Sequence, residues 1–159
     1  MHTLVRRRNG QSMVEFAVLA PVFFMLLLGT IDLGRAIYIY NSISDAAREG
    51  ARAAIPYDNP LPVQSQVVTA IQSKLGGGFF LTVDNACKDL PETTAGCPKT
   101  PTAPNTGLIY YSDGIGQPTG HHPVHIRITF LFQPWIPVIR DASGNGVTIS
   151  AESTMETEY

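Results

Sequence analysis

A long apolar run near the start of the chain is the strongest pattern in the sequence. Phe16 to Ile31 contains no charged residue and stands between Glu15 and Asp32. Ten of these sixteen residues are Phe, Leu, Ile or Val, each of which favours membrane insertion by about 0.3–0.6 kcal/mol. The run therefore predicts a helix whose membrane-spanning part covers about residues 12–33.

Three interpretations of this run are open. A cleaved secretory signal would end at a small-residue site, but the run continues into Asp32 and further helical sequence. A buried helix of a soluble domain is the second interpretation, and a retained membrane anchor is the favoured one. Because Arg6, Arg7 and Arg8 precede the run, the positive-inside rule predicts a cytoplasmic N-terminus and an extracytoplasmic C-terminal domain.

Helical periodicity continues beyond the apolar run. The sequence predicts one helix over residues 11–55, ending before Pro56 because a residue that precedes proline disfavours helical geometry. Pro21 falls inside the helix and is expected to kink or locally melt it. Apolar residues spaced three, four or seven apart predict the buried stripe of its second half: Leu33, Ile37, Tyr40, Ala47, Ala51 and Ala54.

Residues 56–159 predict a small extracytoplasmic α+β domain with a short helix and an antiparallel sheet. Apolar residues four apart from Val63 to Leu75 indicate the helix. Alternation predicts strands at 79–83, 124–133 and 147–152, with a further short strand at 108–111. The last two strands of the chain are expected to form a hairpin. The rest of residues 84–123 is predicted to be a long irregular loop.

Little in the chain points to catalysis. The net charge is −2, which gives no reason to expect nucleic-acid binding. His121, His122 and His125 form an H-H-x-x-H cluster without the glutamate of a zinc-protease helix. We therefore assign no catalytic residue, cofactor or metal. Arg127 and Glu152, on neighbouring predicted strands, are expected to pair.

The chain has two cysteines, Cys87 and Cys97, in the predicted loop. Their spacing does not match a zinc site. In an extracytoplasmic domain they are expected to form a disulfide, which closes a short loop and stabilises it by about 3 kcal/mol. Two free thiols are the alternative.

The sequence around Glu15 resembles the processing site of type IV prepilins. A basic leader ends at Gly10, Glu15 is the fifth residue after that glycine, and Phe16 follows. The resemblance implies that a prepilin peptidase cuts between Gly10 and Gln11, so that residues 1–10 are a removable leader. The same basic flank is also an ordinary topology signal.

The following helix makes the resemblance more specific. The segments D-L-G-R-A at 32–36 and A-A-R-E-G-A-R at 46–52 resemble the TadE-like family, the pseudopilins of the tight-adherence (Flp-type) pilus apparatus of bacteria. The helix motif comprises Ala47, Arg48, Glu49, Gly50 and Arg52, and its small residues are expected to pack against a partner or the protein's own domain.

The resemblance implies a structural component of pilus assembly in the bacterial inner membrane. Its partners would be membrane lipid, other pilins or pseudopilins, and a prepilin peptidase. The alternative is a signal-anchored extracytoplasmic binding or scaffold module unrelated to pili.

Overall fold

A computed structural model describes residues 10–56, 61–75, 82–83, 90–91, 93–97, 100–117, 120–144 and 146–158. The chain begins with a single long helix, α1, over Gln11–Ala53. Its 43 residues make a rod of about 65 Å. The helix is continuous through Pro21, so the expected local melting does not occur. It ends two residues before Ile55, close to the end that Pro56 predicts.

The C-terminal domain contains a short helix and a four-stranded sheet. The helix α2 spans Gln64–Leu75. The strands are β1, Thr82–Val83; β2, Thr106–Tyr111; β3, Pro123–Phe132; and β4, Val147–Glu156. The order in the sheet is β1-β2-β3-β4, with β2, β3 and β4 antiparallel. The predicted α+β class is confirmed.

Two features of the sheet differ from the prediction. The edge strand β1 pairs with β2 in parallel, so the sheet is mixed. The segment 84–123, expected to be largely irregular, contains β2, which lies between two strands and is buried along most of its length. The sequence predicted only residues 108–111 of this strand, because the apolar segment is short and Pro- and Gly-rich sequence flanks it.

The hairpin of β3 and β4 is confirmed, and Val147 pairs with Phe132 at its start. The connection contains a third helix, α3, over Pro137–Ala142, which the sequence interpretation missed. A proline limits strand pairing, so Pro137 by itself does not reveal this helix. Proline is also favoured in the first turn of a helix, where its missing N–H costs nothing.

The core lies between one face of the sheet and the two long helices. Side chains that alternate along β3 point into it, including Ile126, Ile128 and Phe130, as the sequence predicted. From the helices, Ile43 and Ile71 are fully buried in the same cluster. The second half of α1 is therefore part of the domain's hydrophobic core and not an isolated, exposed helix.

The predicted stripe on α1 is correct only in its last part. Ala47, Ala51 and Ala54 are buried, but Leu33, Ile37 and Tyr40 are at least half exposed. This part of the helix has apolar residues on two faces, and periodicity alone does not say which face the domain covers. The covered face carries Asp32, Ile39, Ile43, Ala46 and Gly50.

Several expectations lie outside the described residues. These are the basic leader at residues 1–9, the part of the first predicted strand at residues 79–81, the position of Cys87, and the parts of the predicted loop at residues 84–89, 92, 98–99 and 118–119. The Cys87–Cys97 disulfide therefore stays a prediction.

Candidate functional site

The N-terminal end of α1 carries the predicted processing residues. Gly10 occupies the helix cap with φ −91° and ψ −24°, a conformation open to any residue. A Cβ atom placed on Gly10 would meet nothing within 4 Å. Neither backbone conformation nor packing requires a glycine at this position.

Glu15 is exposed one turn after the cap. Its carboxylate Oε1 accepts a hydrogen bond from the Gln11 side-chain amide at 3.2 Å. The adjacent Phe16 is 72% exposed. The structure therefore brings Gln11 and Glu15 together at an accessible helix end, with a large apolar side chain beside them.

The first half of α1 has no protein cover over most of its surface. Large apolar side chains from Met13 to Ile31 are 41–76% exposed. Its most apolar 18-residue window has a mean hydropathy of 2.2 and no buried residue. By length and composition, this helix is long and apolar enough to cross a membrane.

Where the apolar run ends, a buried carboxylate on α1 forms hydrogen bonds with the C-terminal domain. Asp32 is only 5% exposed. Its Oδ2 accepts hydrogen bonds from the backbone N–H groups of Trp135 at 2.9 Å and Ile136 at 3.2 Å. Its Oδ1 lies 3.1 Å from Nη1 of Arg35. We call these four residues the Asp32 clasp.

Arg35 completes the clasp by stacking as well as by charge. Its guanidinium carbon lies 4.0 Å from the ring centre of Trp135 and 5.2 Å from that of Phe132. A cation over an aromatic face is attracted by the ring quadrupole, most strongly over tryptophan. The Asp32–Arg35 pair thus joins the start of α1's second half to the end of β3.

The A-A-R-E-G-A-R motif packs against the protein's own domain. Ala46, Ala47, Gly50 and Ala51 are buried in the core. A Cβ atom on Gly50 would lie 2.5 Å from Cγ1 and 2.7 Å from Cδ1 of Ile71. Only glycine lets α2 approach α1 this closely without displacing that side chain.

The charged members of the motif lie outside the core. Arg48 and Arg52 are exposed, and Glu49 is half-buried. Arg48 lies 3.8 Å from Asp45 across the helix surface. The motif thus divides into a small buried face and a charged outer face.

The histidine cluster has structural partners. Nδ1 of His121 lies 2.8 Å from the carbonyl oxygen of Thr157. The backbone N–H of His122 donates to the Thr157 hydroxyl at 2.9 Å. His125 lies 3.4 Å from Glu152. Within the described ranges, no three His, Cys, Asp or Glu residues are placed to hold a metal ion.

The expected pair of Arg127 and Glu152 on β3 and β4 is confirmed. The Arg127 guanidinium donates a hydrogen bond to the Glu152 carboxylate. This bond, together with the charges of Arg127 and His125, holds the pKa of Glu152 below its ordinary value. The pair is largely exposed on the outer face of the hairpin.

Sequence reasoning missed the role of Asp32 and the whole of α3. An acidic residue that directly follows an apolar run marks a boundary, but its partners are more than one hundred positions away. Trp135 is 57% exposed, while Tyr110 and Tyr111 are buried. For Asp32, the signal available in the sequence was its i,i+3 spacing from Arg35.

Comparison with known proteins covers the helix but not the domain. No curated protein and no solved structure matches the chain. Residues 10–52 match the sequence model of a family described as TadE-like protein. This match begins at Gly10 and ends at the last arginine of the A-A-R-E-G-A-R motif, so it covers nearly all of α1. Over residues 10–52 the chain is therefore similar to the TadE-like family, as its motifs indicated.

Proposed function

We propose that this protein is a TadE-like pseudopilin, a membrane-anchored structural component of a Flp-type pilus assembly system. Its α1 crosses the bacterial inner membrane with the N-terminus in the cytoplasm. The α+β domain lies on the periplasmic side. The protein has no catalytic role in this proposal, since the matched family is a structural one.

One observation carries the proposal: the family match begins at a glycine that the fold does not need. Gly10 has an ordinary helical conformation and open space around its Cα. A helix N-cap accepts several residue types, with serine, threonine, aspartate and asparagine as common as glycine or more so, so the cap position alone does not select glycine. A peptidase that needs an uncrowded backbone at the cleavage site explains its presence, with Glu15 five residues further on.

Processing at this position would create a charge for Glu15 to pair with. Cutting between Gly10 and Gln11 leaves a positive α-amino group on Gln11 at the membrane. A carboxylate at the edge of the bilayer is costly alone and much less costly when it is paired. In a bundle of such helices, Glu15 of one subunit would neutralise the Gln11 amine of its neighbour.

The exposed half of α1 supports a role in assembly. Its apolar side chains are open on most sides, so lipid surrounds the helix before assembly and neighbouring pilin or pseudopilin helices replace lipid afterwards. The second half is occupied by the protein's own domain. We therefore place the contacts with other pilus components on the membrane half and on the outer surface of the domain.

The test is the N-terminal sequence and intact mass of the protein from native membranes of cells with an active prepilin peptidase. We expect an N-terminus at Gln11. A Gly10→Leu variant should stay full length, because the fold tolerates a side chain there while a peptidase pocket would not. A Ser12→Leu variant, altered at a neighbouring exposed helix position, is the matched control and should still be cut.

Glu15 gives a second arm to this test. Glu15→Gln can keep the hydrogen bond to Gln11 but loses the charge, so we expect normal membrane insertion and impaired pilus assembly, while Glu15→Asp retains partial function. A native chain that still starts at Met1 would remove the processing role. It would favour a signal-anchored binding or scaffold module unrelated to pili.

A further inference from the structure

The short helix α3 lies beside the apolar run of α1. Ile139 lines a surface groove with Val22, Leu26 and Leu33 of α1. Cδ1 of Ile136 lies 3.8 Å from the Cβ position of Gly29. Val22 precedes Asp32 by ten residues, which is about 15 Å along a helix.

This placement has a direct consequence if α1 crosses a membrane. A segment packed beside residues 22–29 has to share the surroundings of those residues, which belong to the apolar run. We propose that α3 and the preceding Trp135 enter the outer leaflet of the bilayer, so that the domain holds the membrane surface at a second point. The inference rests on the proposed membrane anchoring of α1.

The exposed apolar side chains of the domain support a lipid contact. Within the described residues, they are Val63, Leu90, Trp135, Ile139 and Val147. The last three lie at one corner, because Val147 pairs with Phe132 at the end of β3, Trp135 follows three residues later and α3 begins five residues later. This corner is the part of the domain nearest to the apolar run of α1. Its apolar exposure is what a lipid-facing surface requires.

The types of exposed aromatic residue change along the molecule in the way that is typical of membrane proteins. Within the apolar run the exposed rings are phenylalanines, Phe16, Phe23 and Phe24. Beyond it, among the residues that the structure describes, they are Tyr38, Tyr40 and Trp135. Tyrosine and tryptophan are enriched at the membrane–water boundary because one part of each ring is apolar and another part hydrogen-bonds water.

The Asp32 clasp fits the same position. A lone carboxylate or guanidinium at the boundary of the hydrocarbon would be costly. Here the carboxylate has two backbone N–H donors and an arginine partner, and the guanidinium stacks on Trp135. Both charges are thus compensated inside the protein, and the Trp135 ring is left to face lipid. Insertion of about 5–10 Å, typical of interfacial helices, would reach the acyl boundary.

Trp135 is the only tryptophan in the chain, so its fluorescence reports on this corner without labelling. The full chain is reconstituted at low density in phosphatidylcholine vesicles whose acyl chains carry bromine either near the headgroup or near the methyl end. We expect blue-shifted emission, stronger quenching by the shallow bromine than by the deep one, and weak quenching by aqueous acrylamide.

Variants locate the result and separate it from the anchoring of α1. In a Trp135→Phe background, Ile139→Trp is a second probe of α3 that does not depend on the Arg35 stack. Leu26→Trp reports on the helix itself. Thr154→Trp, on an exposed position near the far end of β4, is the water-facing control and should be quenched by acrylamide alone.

Lipid quenching of Leu26→Trp without lipid quenching of Trp135 and Ile139→Trp would overturn the inference and leave the anchor standing. Protection of the α3 probes from both bromine and acrylamide would also overturn it, because a second protein copy would then cover the corner. Absence of lipid quenching at Leu26→Trp would instead defeat the anchoring on which the inference rests.

Discussion

In the first half of α1, large apolar side chains are exposed along residues 11–31, whereas in the second half small side chains are buried against the domain. Within the second half itself, the glycines of the D-L-G-R-A and A-A-R-E-G-A-R segments differ in a similar way. A Cβ on Gly34 would meet nothing within 4 Å, and a Cβ on Gly50 would overlap Ile71. One helix thus has a face that the protein's own domain covers and a face that remains exposed. We call the second of these the open face.

The two glycines show that a small residue in the same helix can have two different structural explanations. Gly50 is explained by the close approach of α2. Gly34 is exposed in the middle of a helix, where glycine is less favourable than alanine by about 1 kcal/mol, and no described residue lies within 4 Å of a Cβ placed there. A close approach by another helix would explain its presence, because small residues allow helix backbones to pack tightly in membranes.

The largest effect is expected where the two halves meet. Asp32→Ala leaves the Arg35 charge without its partner and two backbone N–H groups without an acceptor. Breaking a buried ion pair by removing one partner typically costs about 3–5 kcal/mol. We expect a clear loss in the free energy of unfolding, measured by denaturant titration of the full chain in detergent micelles.

Asp45→Ala is the matched control, because it removes an aspartate that pairs with arginine in the same helix but on an exposed surface. It should cost less than about 1 kcal/mol. Equal denaturation midpoints for the Asp32 and Asp45 variants would show that the clasp does not join the two halves.

The second effect concerns the two glycines. Gly50→Leu forces a side chain into the contact with Ile71, and overpacking of this kind costs about 1–3 kcal/mol. Gly34→Leu should leave stability unchanged or raise it by up to about 1 kcal/mol, because leucine is the better helix former. The same denaturant titration measures both variants.

Ile71→Ala tests the cause of the Gly50 effect. In that background Gly50→Leu should cost much less than in the native chain, since the colliding atoms are gone and neighbouring substitutions are not additive. Strictly additive losses would assign the role of Gly50 to something other than its distance from Ile71. Loss of pilus assembly in a stable Gly34→Leu variant would identify the open face as a contact surface.

The smallest effect is expected at the exposed pair on the hairpin. Arg127 holds the pKa of Glu152 below the ordinary value of 4.5, so the pair stabilises the fold above that value. Its contribution is lost as the pH falls through 4.5 and further to the lowered pKa of the folded state. Exposed pairs are worth about 0–1 kcal/mol, so the denaturation midpoint should fall only slightly from pH 7 to acid.

Glu152→Gln should remove this part of the pH dependence while leaving the fold intact. An unchanged acid slope in that variant would assign the acid sensitivity to other carboxylates.

Local patterns predicted the elements whose physics is local. Period-two alternation located β3 and β4, and the Arg127–Glu152 pair followed from their register. Pro56 located the end of α1 to within a few residues. These elements are long or have clear boundaries, so propensity and periodicity agree with the final fold.

The remaining features depend on distant contacts. The face of α1 that the domain covers is decided by Asp32, whose backbone partners are at residues 135–136, and no local pattern contains that information. The helix α3 is six residues long, and a helix this short is stabilised by its packing rather than by propensity. Gly10, Glu15 and the helix motif were found by resemblance, whereas the use of Gly50 needed the position of Ile71.

The Asp32 clasp also has a mechanical consequence. Helix and domain are joined at residue 32 as well as through the core around Ile43 and Gly50, and two separated attachments along one rod remove the freedom to pivot. Rotation of α1 about its axis would therefore turn the sheet by the same angle. In an assembly of such subunits, the azimuth chosen by the helices inside the bilayer would decide which side of each domain faces its neighbour outside it.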